Sequence, residues 1–283
     1  MKHAGPPAVV VKLGGRALEA PGALAGFAAA LARLDRPTLV LHGGGAEVTR
    51  WCERLGIAPR FHEGLRVTDP DTLEVAAAVL AGLANKRLVA GLRTHGLDAV
   101  GLAALDGGML RVQRHAQADL LGEVGEVIGA DAALLQQLLD TGRTPVVASL
   151  ACDAAGRLLN VNADDAAAAL AAALGASDLV LLSDAPGLIL AGAVVERLSA
   201  HELDTTLTHP EVEGGMIPKL RAAQAALAGG VARVHIAAWT HDDTLRWLLR
   251  GNGHGTTVSA DPSGPMATVP TLTPTSETFH GQR

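Results

Sequence analysis

Short apolar runs alternate with longer Ala/Leu-rich stretches along most of the chain. The runs at 8–13 (AVVVKL), 37–42 (PTLVLH), 99–105 (AVGLAAL), 144–150 (TPVVASL), 178–183 (DLVLLS) and 231–237 (VARVHIA) are apolar nearly throughout. Strands covered on both faces have this pattern. EVGEVIG (123–129) reads as a further strand and turn. Between these runs, 22–34, 46–56, 69–96, 131–142, 163–175 and 217–230 carry apolar residues at helical spacing. Gly56 marks a stop, and a break is expected near Gly82 in the longest stretch. Asp131 and Asp164 stand where N-caps would, and Pro218 falls in a first turn, where proline is tolerated. The alternation predicts an α/β fold: a mostly parallel sheet with helices on both faces.

The chain has 283 residues, 48% hydrophobic and 18% charged, enough apolar material for one large domain or two lobes sharing a core. A net charge of -6 argues against a nucleic-acid partner, whose phosphates select basic faces. Cys52 and Cys152 form no CxxC pattern, so a reduced, cytoplasmic setting is expected. No signal peptide is visible, and no uninterrupted apolar run reaches the roughly 18 to 20 residues of a bilayer span, so no membrane partner is expected. Residues 261–283 are rich in Pro, Ser and Thr without periodicity and read as a flexible tail.

Three predicted strands run straight into tight turns: VVVKLGG, LVLHGGG and LVLLSDAPG. Glycines beyond the carboxyl ends of parallel strands let backbone N–H groups approach phosphate oxygens. The usual phosphate signatures are missing: GxxxxGK[ST], a strand-linked GxGxxG, and HRD or DFG. Two lysines are oddly placed. Lys12 lies within an apolar strand. Lys219 follows GGMIP at the start of a helix, where the macrodipole disfavours a cation unless an anion is bound. The histidines show no HxxxH or HExxH spacing, and no metal cage is expected.

VVVKLGG (9–15), LHGGGAEV (41–48), GLRVTD (64–69), NVNADDAA (160–167), LLSDAPGL (181–188) and GGMIPKL (214–220) occur in this order. Together they resemble the amino-acid kinase family, and within it the branch that phosphorylates N-acetyl-L-glutamate in arginine biosynthesis. The resemblance implies an eight-stranded, three-layer α/β/α sandwich. It implies an N-lobe, residues 1–180, for the amino acid and for dimerisation, and a C-lobe, residues 181–260, for ATP. Mg2+ would arrive on the ATP phosphates. A homodimer is expected, and a PII-type regulator is conceivable. Only eleven residues precede Lys12, leaving no room for the N-terminal helix of arginine-inhibited hexamers, so insensitivity to arginine is expected. Two other readings stay open: a kinase of carrier-protein-bound aminoadipate or glutamate, and a non-catalytic amino-acid or nucleotide sensor.

The proposed acceptor is a carboxylate, already ionised at neutral pH, so no general base is needed. Two anions must instead be neutralised and aligned. By resemblance Lys12 and Lys219 do this, oriented by Asp164. Gly44 and Gly45 would contact substrate and phosphoryl oxygens through their N–H groups. Arg66 would fork onto the α-carboxylate, and Asn160 would bond the amide side of the amino acid. Gly14, Gly15, Ser183, Asp184, Gly187, Gly215 and Met216, with Lys219, would line the ATP site. Asn162 is expected on the opposite face from Asn160 with no contact, Asp165 as solvated or capping, and His42 as a packed strand-end residue.

Overall fold

The computed structural model describes residues 6–14, 22–252 and 255–260. Gly15 and the predicted tail lie outside these.

Eight strands form the central sheet. Their order is Arg197–Ser199, Thr256–Ser259, Arg233–Ala238, Asp178–Ser183, Val9–Leu13, Thr38–His42, Thr144–Ala148 and Ala99–Ala103. The last six are mutually parallel. Thr256–Ser259 runs antiparallel to Arg233–Ala238 and parallel to Arg197–Ser199, so the two strands at that edge run against the rest. The pattern of apolar runs does not reveal these two, because they are short and carry Arg197, Ser199, Thr256 and Ser259.

Successive residues of a strand face opposite sides. Val10, Leu39, Leu41, Leu179 and Leu181 pack on one side with Ala166, Leu170, Leu220 and Ala223, from the helices Ala163–Leu174 and Met216–Ala228. Val9, Val11, Val40, Val180 and Leu182 pack on the other with Phe27, Leu31, Leu88, Leu92 and Leu245. Lys12 shares the face of Val10, and that directs it toward the helix Ala163–Leu174.

A second, four-stranded sheet has the order Leu110–Arg114, Val124–Ala130, Leu158–Val161, Leu150–Cys152. It carries Asn160. The small hairpin Phe61–His62 and Leu65–Arg66 presents Arg66. At 70–94 the helix does not break near Gly82. It passes through a π-helical segment, Ala78–Ala84, and continues as Asn85–Thr94. By length and composition alone this helix is apolar enough to cross a membrane. Here Val79, Leu80, Leu88 and Leu92 are buried in the core. Asp131 is not the N-cap of its helix. Ala132 holds that position, and Asp131 accepts from the Ala133 N–H at 2.8 Å.

Asp178 opens its strand level with Val9, at the end of the sheet opposite Lys12 and Gly14. Its fully buried carboxylate accepts from Arg36 (2.9 Å), Ser177 (2.6 Å), Arg233 (2.8 Å) and His235 Nε2 (3.1 Å). Burial alone would raise its pKa, but the hydrogen bonds from His235, Ser177 and Arg36 outweigh it and hold the carboxyl well below the usual range. Burial lowers the pKa of His235, against its bond to Asp178, and burial likewise lowers that of His42. These histidines fold neutral and bind protons more readily when unfolded. Their stabilising contribution is therefore complete above the unfolded value of about 6.5 and is lost as pH falls below it. Asp178 adds to the loss only below about pH 3.9. Thermal melts between about pH 8 and 5 should show Tm level at first and then falling. A Tm level across the whole range would contradict this.

Candidate active site

At the carboxyl ends of the central strands a cleft of about 240 Å3 opens. It is smaller than the roughly 300–1,000 Å3 typical of drug-sized ligands. Lys12, the three glycines 43–45, Arg66, Asn160 and Asp164 line it. Asp164 is the only acid among the described lining residues.

The Lys12 ammonium lies 2.7 Å from Asp164 Oδ1, and the Lys219 ammonium lies 3.2 Å from Asp164 Oδ2. Lys12 and Asp164 are each 5% exposed. Burial pulls the Lys12 pKa down and Lys219 adds to this, while Asp164 opposes both. For Asp164, burial favours the neutral acid, but the two lysines outweigh it and lower its pKa. Two ammonium groups on one carboxylate leave a net charge of +1 in a desolvated place, which suits a further anion.

The local sequence explains how the three residues meet. Lys12 points to this side through strand alternation. Gly14 leaves room for its amine, which lies where a Cβ on residue 14 would be. The Gly14 N–H itself donates to Leu182 O at 2.9 Å, so it is not open to a phosphate. Asp164 is not the cap of its helix. Asn162 is, with its Oδ1 accepting from the N–H groups of Asp164 (2.8 Å) and Asp165 (3.3 Å). Asn162 also lines the cleft beside Asn160: its backbone is still extended (φ -60°, ψ 126°), and residues two apart in an extended stretch share a face. The expectation that it makes no contact is corrected. An Asn two residues before the acid at a helix start was the available signal. Asp165 is an exposed residue whose carboxyl is partly desolvated by the surrounding protein; this first, and neighbouring Asp164 next, push its pKa up to about 6.

Arg66 is 8% exposed. Its Nη2 donates to Gly45 O (2.7 Å) and Thr49 Oγ1 (2.6 Å), and the guanidinium lies over the Phe61 ring. Its Nη1 is buried and has no partner among the described residues. A buried cationic donor left open is costly, and a ligand acceptor would satisfy it. Asn160 donates to Thr68 Oγ1 (3.1 Å), which in turn donates to Arg66 O (3.0 Å), tying the two candidate substrate contacts together. Gly44 occupies the N-cap of the helix Gly45–Arg54 with no side-chain cap. Likewise Gly215 precedes Met216–Ala228 uncapped, and Lys219, at the fourth position of that helix, lies 3.3 Å from Gly215 O.

Ser183, Asp184 and Gly187 do not line this cleft. They form the turn after Asp178–Ser183, one strand over from Gly14. Ser183 Oγ accepts from the Ala185 N–H at 3.2 Å. At Gly187, φ is 153°, and a Cβ would collide with Thr256 and Val194.

A model of the Amino acid kinase family matches residues 7–238. The acetylglutamate kinase of Methanopyrus kandleri is 42% identical over 254 residues, 86% of this chain and 98% of its own. That of Acidothermus cellulolyticus is 44% identical over 245 residues, 81% of this chain and 82% of its own. Among solved structures, N-acetylglutamate synthase from Neisseria gonorrhoeae, complexed with coenzyme A and N-acetyl-glutamate, superposes with a TM-score of 0.78. It is 28% identical, over 90% of this chain and 60% of that one. With the eight-stranded, mostly parallel sheet and these matches over most of its length, the chain belongs to the amino acid kinase family.

Proposed function

We propose that the protein transfers the γ-phosphoryl group of ATP to the side-chain carboxylate of N-acetyl-L-glutamate, giving the 5-phosphate and ADP, a step of arginine biosynthesis. What carries this reading is the pair of ammonium groups on the two oxygens of Asp164, beside a cleft in which Arg66 keeps one buried N–H open. A carboxylate oxygen of the substrate attacks the γ-phosphorus, and the bond from phosphorus to the β,γ-bridging oxygen breaks. No proton moves, so no base is required. Lys12 and Lys219 offset the charge of donor and acceptor, and the Gly44 N–H adds a dipole aimed at a transferring oxygen. Arg66 takes the α-carboxylate, and Asn160 takes the amide side. Mg2+ would come on the nucleotide, held by phosphate and water, because both oxygens of Asp164 are already engaged by lysines. In this reading residues 1–180 hold the amino acid and 181–260 the nucleotide, with Gly215, Met216, Ser183, Asp184 and Gly187 on the ATP side. The same reading expects a cytoplasmic homodimer.

Acyl phosphate trapped as hydroxamate tests the assignment. N-acetylglutamate should be turned over in preference to glutamate, aspartate and aminoadipate. Turnover of free glutamate or aspartate with none of the N-acetyl compound would defeat it. Arg66→Lys should raise KM for N-acetylglutamate roughly 10- to 100-fold, the loss expected for one hydrogen bond between charged groups. The KM for ATP should stay near the wild-type value. An unchanged N-acetylglutamate KM would remove Arg66 from the substrate site.

A further inference from the structure

We infer that His42 and Asn85 are positioning residues that aim the Gly44 N–H into the cleft. The inference rests on the reading of Gly44 given above. Neither residue lines the cleft, and both are buried: His42 is 4% exposed and Asn85 fully enclosed.

The hydrogen-bond partners indicate where the protons sit. Asn85 Nδ2 lies 2.9 Å from Val146 O and 3.2 Å from Leu102 O, and carbonyl oxygens only accept. The NH2 group therefore faces them, and Asn85 Oδ1 is left to accept from Lys86 at 3.0 Å. The same Nδ2 is 3.0 Å from His42 Nε2, so its two N–H bonds are shared among three acceptors and Nε2 is one of them. At the other side of the ring, His42 Nδ1 is 2.8 Å from Gly43 O, again only an acceptor. Nδ1 must carry the hydrogen. Asn85 thus selects the neutral Nδ1–H tautomer, and that tautomer holds the Gly43 carbonyl.

The consequence follows from peptide geometry. No cis bond occurs among the described residues, and in a trans peptide the C=O of residue 43 and the N–H of residue 44 point in opposite directions. Holding the Gly43 oxygen back against the ring turns the Gly44 N–H outward. Among the described residues, that N–H has no acceptor. A peptide between two glycines has no Cβ on either side to resist a flip. Here it is held from three directions: Gly43 N–H donates to Leu13 O at 3.1 Å, His42 grips Gly43 O, and Leu80 occupies the space a Cβ on residue 44 would need. Leu80 belongs to the π-helical segment Ala78–Ala84, and Asn85 follows it directly, so one continuous helix supplies both the packing and the selector of the tautomer.

Two measurements decide the matter. Long-range 1H–15N NMR of the imidazole in the ligand-free protein at neutral pH should show a single neutral Nδ1–H tautomer for His42. An Nε2–H form, a mixture or an imidazolium would overturn the inference whatever the catalytic assay gives. In kinetics, His42→Leu should lower kcat about 100-fold, the effect of losing one preorganised donor. KM for both substrates should change little. His42→Asn, whose amide can still donate to Gly43 O, should recover about tenfold of that loss. Equal kcat in the two variants would contradict the positioning role. If His42→Leu does not fold, the tautomer measurement stands alone. A wild-type protein without hydroxamate activity would sink the functional reading and leave the tautomer result intact.

Discussion

Replacing Asp164 with asparagine should lower kcat for acyl phosphate formation by about 1,000-fold, at the upper end of what one electrostatic group contributes. The size follows from the arrangement. One carboxylate holds two ammonium groups, at 2.7 and 3.2 Å, and asparagine offers a single neutral acceptor in its place. Lys12 then loses its main counter-charge, and only the weaker pull of Asp165 still opposes the burial that already lowers its pKa. Its ammonium form is the active one, so the residual kcat of the variant should fall as pH rises through the lowered lysine pKa, while wild-type kcat stays level there. The backbone bond from Asp164 N–H to Asn162 is untouched, so the helix start should survive. Steady-state kinetics across pH check both parts. A variant within tenfold of wild type would mean that the two lysines do not depend on this acid.

Lys219→Ala should lower kcat by about 100-fold and leave KM for N-acetylglutamate near its original value. The lysine meets the substrate side only through the phosphoryl group, whereas binding of the amino acid falls to Arg66 and Asn160. The effect should be smaller than that of Asp164→Asn, because Lys12 keeps its partner. In the double variant the losses should fall well short of multiplying, as expected for groups acting as one unit. A KM effect with unchanged kcat would assign Lys219 to ground-state binding alone.

The oddity of a lysine at a helix start was legible in the sequence, and so was the need for an anion beside it. The structure supplies one within the chain, Asp164, which is 55 residues away in sequence. The net positive charge left on the triad then extends the argument to a bound anion. The side on which Lys12 points also follows from the sequence, by counting alternate positions from Val10. The six parallel strands were visible because they are apolar nearly throughout, and most of them are buried on both faces. The edge strand Arg197–Ser199 and its neighbour Thr256–Ser259 were not, because three or four residues that include Arg197, Ser199, Thr256 and Ser259 make no apolar run. Asn162 was misjudged by miscounting the alternation: residues two apart share a face, so its place was beside Asn160. His42 and Asn85 gave no local signal. Their bond joins the end of one strand to the middle of a helix 43 residues on, and only tertiary packing creates it.

The central claim is that the two ammonium groups act together on the transferring phosphoryl group. The most direct test is a crystal structure with ADP, magnesium, aluminium fluoride as a planar mimic of that group, and N-acetylglutamate. Both the Lys12 and Lys219 amines should lie within hydrogen-bond distance of the mimic while still sharing Asp164. A mimic seated elsewhere, with either amine several ångströms away and facing water, would contradict the account.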